Sequence, residues 1–338
     1  MRSVAVLGAG SWGTALAAHL AQAGHQVQLW GRNADLVREL QLLHANAIYL
    51  PDIVLPASLH ATTSLEEAVT GAQLIVSAVP SHGTRAVIRA AAPRISPEAI
   101  IVSATKGLEG TSLRRISEVL AEEAGRPERL AVLSGPSFAV EVARGLPTAV
   151  CVACANPDLA ADVQMEFRAR YFRLYSSTDM VGVEIGGALK NVIALAAGVV
   201  EGLGLGHNAL AALITRGLAE ITRLACALGA RRETLSGLSG LGDLVLTCTS
   251  SLSRNRSVGV ELARDRPLAD VLAGMKMVAE GVTTTGAALA LGQKHGVELP
   301  IATQMADVLA GRRRARSAVE ELMLRPQRYE LEPGLKLP

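Results

Sequence analysis

VAVLGAGSWGTALAAHLAQAG, residues 4–24, is an apolar run, a glycine-rich turn and a helix-forming run in that order. VAVLG (4–8) is apolar or glycine throughout, as a strand buried on both faces would be. The alanine and leucine content that follows predicts a helix from about Ser11 to Ala23. Between the two, Gly8-Ala9-Gly10-Ser11-Trp12-Gly13 fits G-x-G-x-x-G, a weak pattern alone and a specific one between a strand and a helix. Each glycine then has its own physical role. Gly8 permits the tight turn, Gly10 lets the backbone approach a pyrophosphate, and Gly13 lets helix and strand pack closely. The helix N-terminus presents unpaired N–H groups to the phosphates.

Outward from this turn the pattern repeats. QVQLW (26–30), LIVSAV (74–79), AIIVSAT (99–105), RLAVLSG (129–135) and TAVCVA (148–153) are β-rich runs with helix-forming stretches between most of them. A second helix is expected to begin near Asn33, and further strands around 58–62 and in YFRLYSS (171–177). Strands that are apolar throughout and separated by helices imply a doubly wound, Rossmann-type α/β unit, a mostly parallel sheet covered on both faces. Beyond about residue 180 the strand-like runs stop. ALAALITRGLAEITRLACALG (209–229) places apolar residues at helical spacing, so an all-α second domain follows. The expected division is a nucleotide-binding domain over 1–182 and a helical domain over 183–338, with no low-complexity linker between them.

A chain of 338 residues exceeds what one core usually holds, which agrees with two domains. With 49 % hydrophobic and 19 % charged residues it lacks the signature of disorder. Lys plus Arg (33) nearly balance Asp plus Glu (31), for a net charge of +2. That argues against a protein whose work is holding nucleic acid or an anionic membrane, and leaves a local basic pocket open. MRSVAVLGAGSWG runs straight into the first strand, without the h-region and cleavage site of a signal peptide. Four cysteines are too few for a disulfide framework in a chain this long, so a cytoplasmic protein is expected. Cys151 and Cys154 form C-x-x-C, but TAVCVACANP reads as a buried strand with no second pair after it, and the two are expected to be small hydrophobes.

Ligands of an open α/β sheet lie beyond the carboxyl ends of its strands. The second strand ends Leu29-Trp30-Gly31-Arg32-Asn33, with Arg32 where an NAD-selective site usually has an acid. Arginine pairs with a 2′-phosphate, so NADP is favoured or at least tolerated, with an exposed arginine of no ligand role as the alternative. Ser77-Ala78-Val79-Pro80-Ser81 stops a strand at a proline and is expected to line the cofactor crevice. Ala104-Thr105-Lys106-Gly107 puts a cation at a strand end. Ser134-Gly135-Pro136-Ser137-Phe138-Ala139 is a strand–turn–helix junction whose hydroxyl and N–H groups suit an anion, although Ser137 would serve equally as a cap.

In the second half, GVEIGGALKNVIALAAGVVEG (182–202) sets Lys190 in the middle of an apolar helix. That position is costly unless the lysine snorkels, pairs or faces a polar pocket. Gly186, Gly187, Ile193 and Ala194 flank it at helical spacing, leaving room for another helix or a ligand. A desolvated lysine exchanges a proton near neutral pH, as reduction of a carbonyl requires; a buried ion pair is the structural alternative. The Lys-Asn pair interrupts the run and no comparable segment follows, so a membrane span is not expected. GLSGLGD (237–243) places Asp243 after a glycine-rich turn, and SRNRS (253–257) gathers guanidinium, amide and hydroxyl donors suited to a phosphorylated substrate. GLGLGHN (202–208) reads as a loop, with His207 a structural histidine rather than an acid. Arg312, Arg313, Arg314 and Arg316 read as a solvated helix end.

Taken in order, GAGSWGTALA, ATKG, SGPSFA, ALKN, GLGDLVLTC, SRNRSVG and VAEGVTT resemble the bacterial NAD(P)-dependent glycerol-3-phosphate dehydrogenases over essentially all 338 residues. The resemblance implies a homodimer that reversibly reduces dihydroxyacetone phosphate to sn-glycerol 3-phosphate, feeding phospholipid synthesis without a metal. It implies that Ser11, Trp12, Arg32, Lys106, Ala139, Arg254, Val278 and Glu280 join Gly8, Gly10 and Gly13 at the cofactor. Lys106, Gly135, Ser137, Lys190, Asp243, Ser253, Arg254 and Asn255 would hold the substrate, with Lys190 the general acid in reduction and the base in oxidation. Two other readings compete: a two-domain NADP-dependent β-hydroxyacid or ketopantoate-like reductase, and a non-catalytic NAD(P)-binding sensor. The SRNRS cluster disfavours the first, and a lysine in an apolar helix disfavours the second.

Overall fold

The apolar runs become eight strands: β1 Ser3–Leu7, β2 Gln26–Trp30, β3 Leu59–Thr62, β4 Leu74–Ser77, β5 Ile100–Ser103, β6 Leu130–Ser134, β7 Thr148–Ala153 and β8 Phe172–Ser177. They are seen in a computed structural model that describes residues 1–275, 278–327 and 329–330. The strands form one sheet of order β3-β2-β1-β4-β5-β6-β7-β8. Neighbours from β3 to β6 are parallel; β7 turns antiparallel against β6, and β8 runs parallel to β7. The expected strands near 58–62 and 171–177 are β3 and β8. Leu7 lies level with both Trp30 and Ser77, so the carboxyl ends of β1, β2 and β4 share one edge.

Seven helices cover this sheet: α1 Ser11–Gln22, α2 Ala34–Leu43, α3 Leu65–Val69, α4 Ser81–Ala91, α5 Ile116–Ala124, α6 Ala139–Ala143 and α7 Pro157–Glu166. Asn33 caps α2, its side chain accepting from the N–H groups of Asp35 and Leu36 at 2.9 and 3.0 Å. One core lies on the face of Val4, Leu16, Leu20 and Leu29, and another on the face of Ile75, Ile88, Ile101 and Leu120. Each such side chain contributes about 1.5–3 kcal/mol by leaving water. Cys151 and Cys154 lie buried on β7 and just after it as free thiols. Burial pushes the Cys151 thiol up to about 11, so it is unreactive at neutral pH.

The helical half comprises α8 Met180–Gly202, α9 Gly206–Ala227, α10 Arg232–Leu235, a π turn at Leu238–Gly242, α11 Asp243–Thr249, α12 Arg254–Ala263, α13 Leu268–Ala273, α14 Glu280–His295, α15 Pro300–Leu309 and α16 Ala315–Met323. The last eight residues expected in this domain, 331–338, lie outside the described residues. Asp179 starts α8 by accepting from Gly182 N at 2.8 Å and Arg231 N at 2.8 Å. Among the described residues α8 is the one helix long and apolar enough to cross a membrane, and it is buried by its neighbours. Glu184 ties it to the first half, accepting from Ser117 N and Arg115 Nη1, both at 2.8 Å. α12 lies so close to α8 that a Cβ on Gly198 would stand 2.8 Å from Gly259 Cα. The GLGLGHN stretch is not all loop. Gly204 and Gly206 take φ of +68° and +82°, which lets the chain reverse at once and start α9 at Gly206. His207 therefore sits, exposed, in the first turn of α9.

Candidate active site

The glycine turn has the shape a dinucleotide needs. Gly8 holds φ at +110°, and a Cβ there would lie 2.9 Å from Ala78 O. A Cβ on Gly13 would collide with Gly8 O and press on Ala78 Cβ. Gly10 has nothing within 4 Å of its would-be Cβ, so this part of the backbone faces open space. Gly10 at the N-cap has no side chain to cap α1, which leaves its first N–H groups to an anion. These residues fit a pyrophosphate.

Arg32 follows β2, exposed, with no hydrogen bond or ion pair to the described residues. Val79–Ser81 and Lys106 stand beyond β4 and β5. A dinucleotide with its pyrophosphate on the turn would have one end toward Arg32 and the other toward β4 and β5. Trp12 ties the two regions together: its Nε1 donates to Ala104 O at 3.1 Å, and Lys106 Nζ lies 6.0 Å from its ring centre. Ala139 begins α6, which packs on α1; Val278 lies exposed just before α14, and Glu280 opens that helix with its carboxylate on Ser81.

The second cluster is built around Asp243. GLSGLG winds into the π turn because Gly240 lies against the backbone of Leu235, where a Cβ would collide. The turn delivers Asp243 to the start of α11, completely buried at 0 % exposure. Lys190, 6 % exposed, donates from Nζ to Asp243 Oδ1 and, at 2.9 Å, to Thr247 Oγ1. Lys106 Nζ donates to the other oxygen, Asp243 Oδ2, at 2.8 Å, to Gly135 O at 2.7 Å and to Ser137 Oγ at 3.2 Å. The Thr247 hydroxyl donates to Asp243 O at 2.6 Å, so it meets Lys190 as an acceptor. Two ammonium groups therefore share one buried carboxylate.

Burial lowers Lys190 from its ordinary 10.5 to about 7, against the attraction of Asp243, and the charge of Lys106 adds to the lowering. Asp243 and Thr247 occupy two of its three N–H bonds. The third has no acceptor among the described residues. The glycines one turn before Lys190 make room for protein rather than ligand. A Cβ on Gly186 would lie 2.6 Å from Ser239 O, and Gly187 packs on Ser134 Oγ and the stem of Lys106.

The structure brings together Lys106, Gly135, Ser137, Lys190 and Asp243 by direct contact. Asn255 joins them at one remove. Its Nδ2 donates to Asn191 Oδ1 at 3.0 Å, its Oδ1 accepts from Gly281 N at 2.9 Å, and Asn191 in turn donates to Lys106 O at 3.3 Å. Ser253 is buried and caps α12, accepting from Arg256 N at 3.3 Å, while Arg254 is exposed at the first position of that helix. Thr247 escaped the sequence reading. Its only local signal is the spacing of four from Asp243, which puts both on one face of α11.

Family models described as the N-terminus and the C-terminus of NAD-dependent glycerol-3-phosphate dehydrogenase match residues 3–160 and 179–320. A protein of Koribacter versatilis named glycerol-3-phosphate dehydrogenase (NAD(P)+) is 51 % identical over 276 residues, covering 80 % of this chain and 82 % of its own. One of the same name from Syntrophotalea carbinolica is 53 % identical over 272 residues, covering 80 % and 82 %. The crystal structure of glycerol-3-phosphate dehydrogenase from Coxiella burnetii matches with a TM-score of 0.92 at 42 % identity, over 96 % of this chain and 99 % of that one.

Proposed function

From the premise that this chain belongs to the NAD-dependent glycerol-3-phosphate dehydrogenase family, we infer that Lys190 is the proton-exchanging group of its reaction. The enzyme interconverts dihydroxyacetone phosphate and sn-glycerol 3-phosphate with NAD(P)(H). The observation that carries the role of Lys190 is its burial with two acceptors fixed and one N–H without an acceptor among the described residues. A bound NAD(P)H supplies the hydride for C2 of the ketone. Lys190 donates its free proton to the ketone oxygen, and in the reverse direction removes it from the hydroxyl. Lys106, held by Gly135 O, Ser137 and Asp243, offsets the negative charge developing on that oxygen. Arg254 and the start of α12, with Ser253 and Asn255, take the phosphate.

Residues 1–182 then hold most of the cofactor, with Glu280 reaching it from 183–338, the half that completes the substrate site and forms the dimer. Light scattering should then give twice the 35.2 kDa chain mass. We place the enzyme in the cytoplasm, supplying glycerol 3-phosphate to phospholipid synthesis. NADPH is the favoured coenzyme because Arg32, with no partner among the described residues, stands at the end of β2, where a 2′-phosphate would lie. Arg32→Ala should weaken NADPH about tenfold or more and NADH much less, the scale of a lost charged hydrogen bond. Equal losses in titrations of the two coenzymes would remove Arg32 from that contact.

The activity is tested by following NADPH oxidation. Turnover is expected with dihydroxyacetone phosphate, and little with dihydroxyacetone, ketopantoate or a β-keto acid, since the phosphate supplies much of the binding. Turnover with ketopantoate alone would reverse the substrate assignment, and none with any ketone would favour a binding protein.

A further inference from the structure

Glu280 opens α14 in the helical half, yet both of its carboxylate oxygens are engaged in the other half. Oε1 accepts from Ser81 N at 3.1 Å and Oε2 from Ser81 Oγ at 2.6 Å. Ser81 is the first residue of the eleven-residue α4 and is buried. Its predecessor, Pro80, supplies no capping side chain. Glu280, 199 positions away in the chain, therefore caps α4 and lies at the positive end of its dipole. Gly107 makes the close fit possible: a Cβ there would stand 2.9 Å from Glu280 Oε2 and 2.9 Å from Ser81 Cβ.

Three pieces meet at this point. Val79 and Pro80, before Ser81, continue from β4 into the cofactor crevice. Lys106, before Gly107, belongs to the substrate cluster. α14 brings Glu280 from the helical half. A carboxylate accepts about four hydrogen bonds, so with two given to Ser81 each oxygen retains capacity for a donor on a ligand. A nicotinamide lying toward β4 and β5 carries such a donor in its carboxamide.

We propose that Ser81 is a positioning residue for the cofactor: its N–H and hydroxyl hold the Glu280 carboxylate at the β4 end of the crevice, where it meets the nicotinamide end of NAD(P)H. The glutamate has three side-chain torsions, and two hydrogen bonds to a single residue restrict them to one arrangement. Without the hydroxyl, Oε2 loses its partner and the side chain gains alternatives that point to water. The proposal rests on Glu280 contacting the cofactor.

Ser81→Ala removes the hydroxyl, keeps the N–H and retains a good helix former in α4. NADPH dissociation constants are measured by titration calorimetry on Ser81→Ala, Glu280→Ala and the double variant, together with KM for dihydroxyacetone phosphate. Glu280→Leu, similar in size and without an acceptor, replaces Glu280→Ala if that variant does not fold. Ser81→Ala is expected to weaken NADPH about tenfold, the scale of one charge-assisted hydrogen bond. KM for dihydroxyacetone phosphate should stay within about twofold, because the substrate meets Lys106 and Lys190 rather than Ser81. Adding Ser81→Ala to Glu280→Ala should cost nothing further, since the hydroxyl acts only through the carboxylate. Unchanged NADPH binding in Ser81→Ala, beside weakened binding in Glu280→Ala, would overturn the positioning role and leave Glu280 at the cofactor. Additive losses in the double variant would overturn it as well. Unchanged binding in Glu280→Ala would remove Glu280 from the cofactor, and the role of Ser81 with it.

Discussion

Lys190→Ala should lower kcat for dihydroxyacetone phosphate reduction by about 10²–10⁴-fold, the usual worth of a positioned proton donor, while NADPH binds nearly as before. The fold should survive. Asp243 keeps its ion pair with Lys106, so the substitution strands no buried charge. The pH profile gives a second check. With Lys190 brought to about 7 by burial, its proton is present below that pH and lost above it. Reduction needs the protonated amine, so its rate falls as pH rises through about 7. Oxidation needs the free amine, so its rate rises over the same interval. Lys190→Ala should flatten both limbs. Near-normal turnover in that variant, or an intact limb near 7, would remove Lys190 from proton transfer.

Asp243→Asn should be worse for the protein as a whole. Asp243 is the counter-charge for two lysines at once, and an amide leaves both ammonium groups without it. Breaking a buried pair in this way typically destabilises by about 3–5 kcal/mol, to be read as a lowered denaturant midpoint. The chemistry should suffer by a separate route. Asp243 opposes the downward shift of Lys190, so its loss drives that amine further below 7 and leaves it unprotonated at neutral pH. Reduction should fall at least about 10²-fold at neutral pH, and what remains should move its optimum toward acid. A wild-type midpoint together with an unshifted optimum would show that the lysines do not depend on Asp243.

The two variants probe features that differ in how far they could be read from the chain. The β1–α1 turn was legible because strand period, helix period and three glycines fall within about twenty consecutive residues, and each acts locally. Lys190 was legible as a costly exception, since a charge in an apolar helix needs a reason. The start of α9 was not, because left-handed glycines at 204 and 206 compress a stretch that reads as a loop into a reversal. The room beside Gly186 and Gly187 was legible, but not its occupants, a π turn and the end of β6.

Period, glycine placement and the cost of burying charge thus bring the residues as far as a doubly wound sheet, a helical second half and a lysine that must be explained. The partners of that lysine depend on how α8, α11 and α12 pack. Lys190 meets Asp243 across 53 positions, Lys106 meets Asp243 across 137, and Ser81 meets Glu280 across 199. No local pattern encodes contacts of such separation. They exist because close packing at glycines such as Gly107 and Gly198 brings backbones near enough for the side chains to reach, and only the folded chain makes that approach.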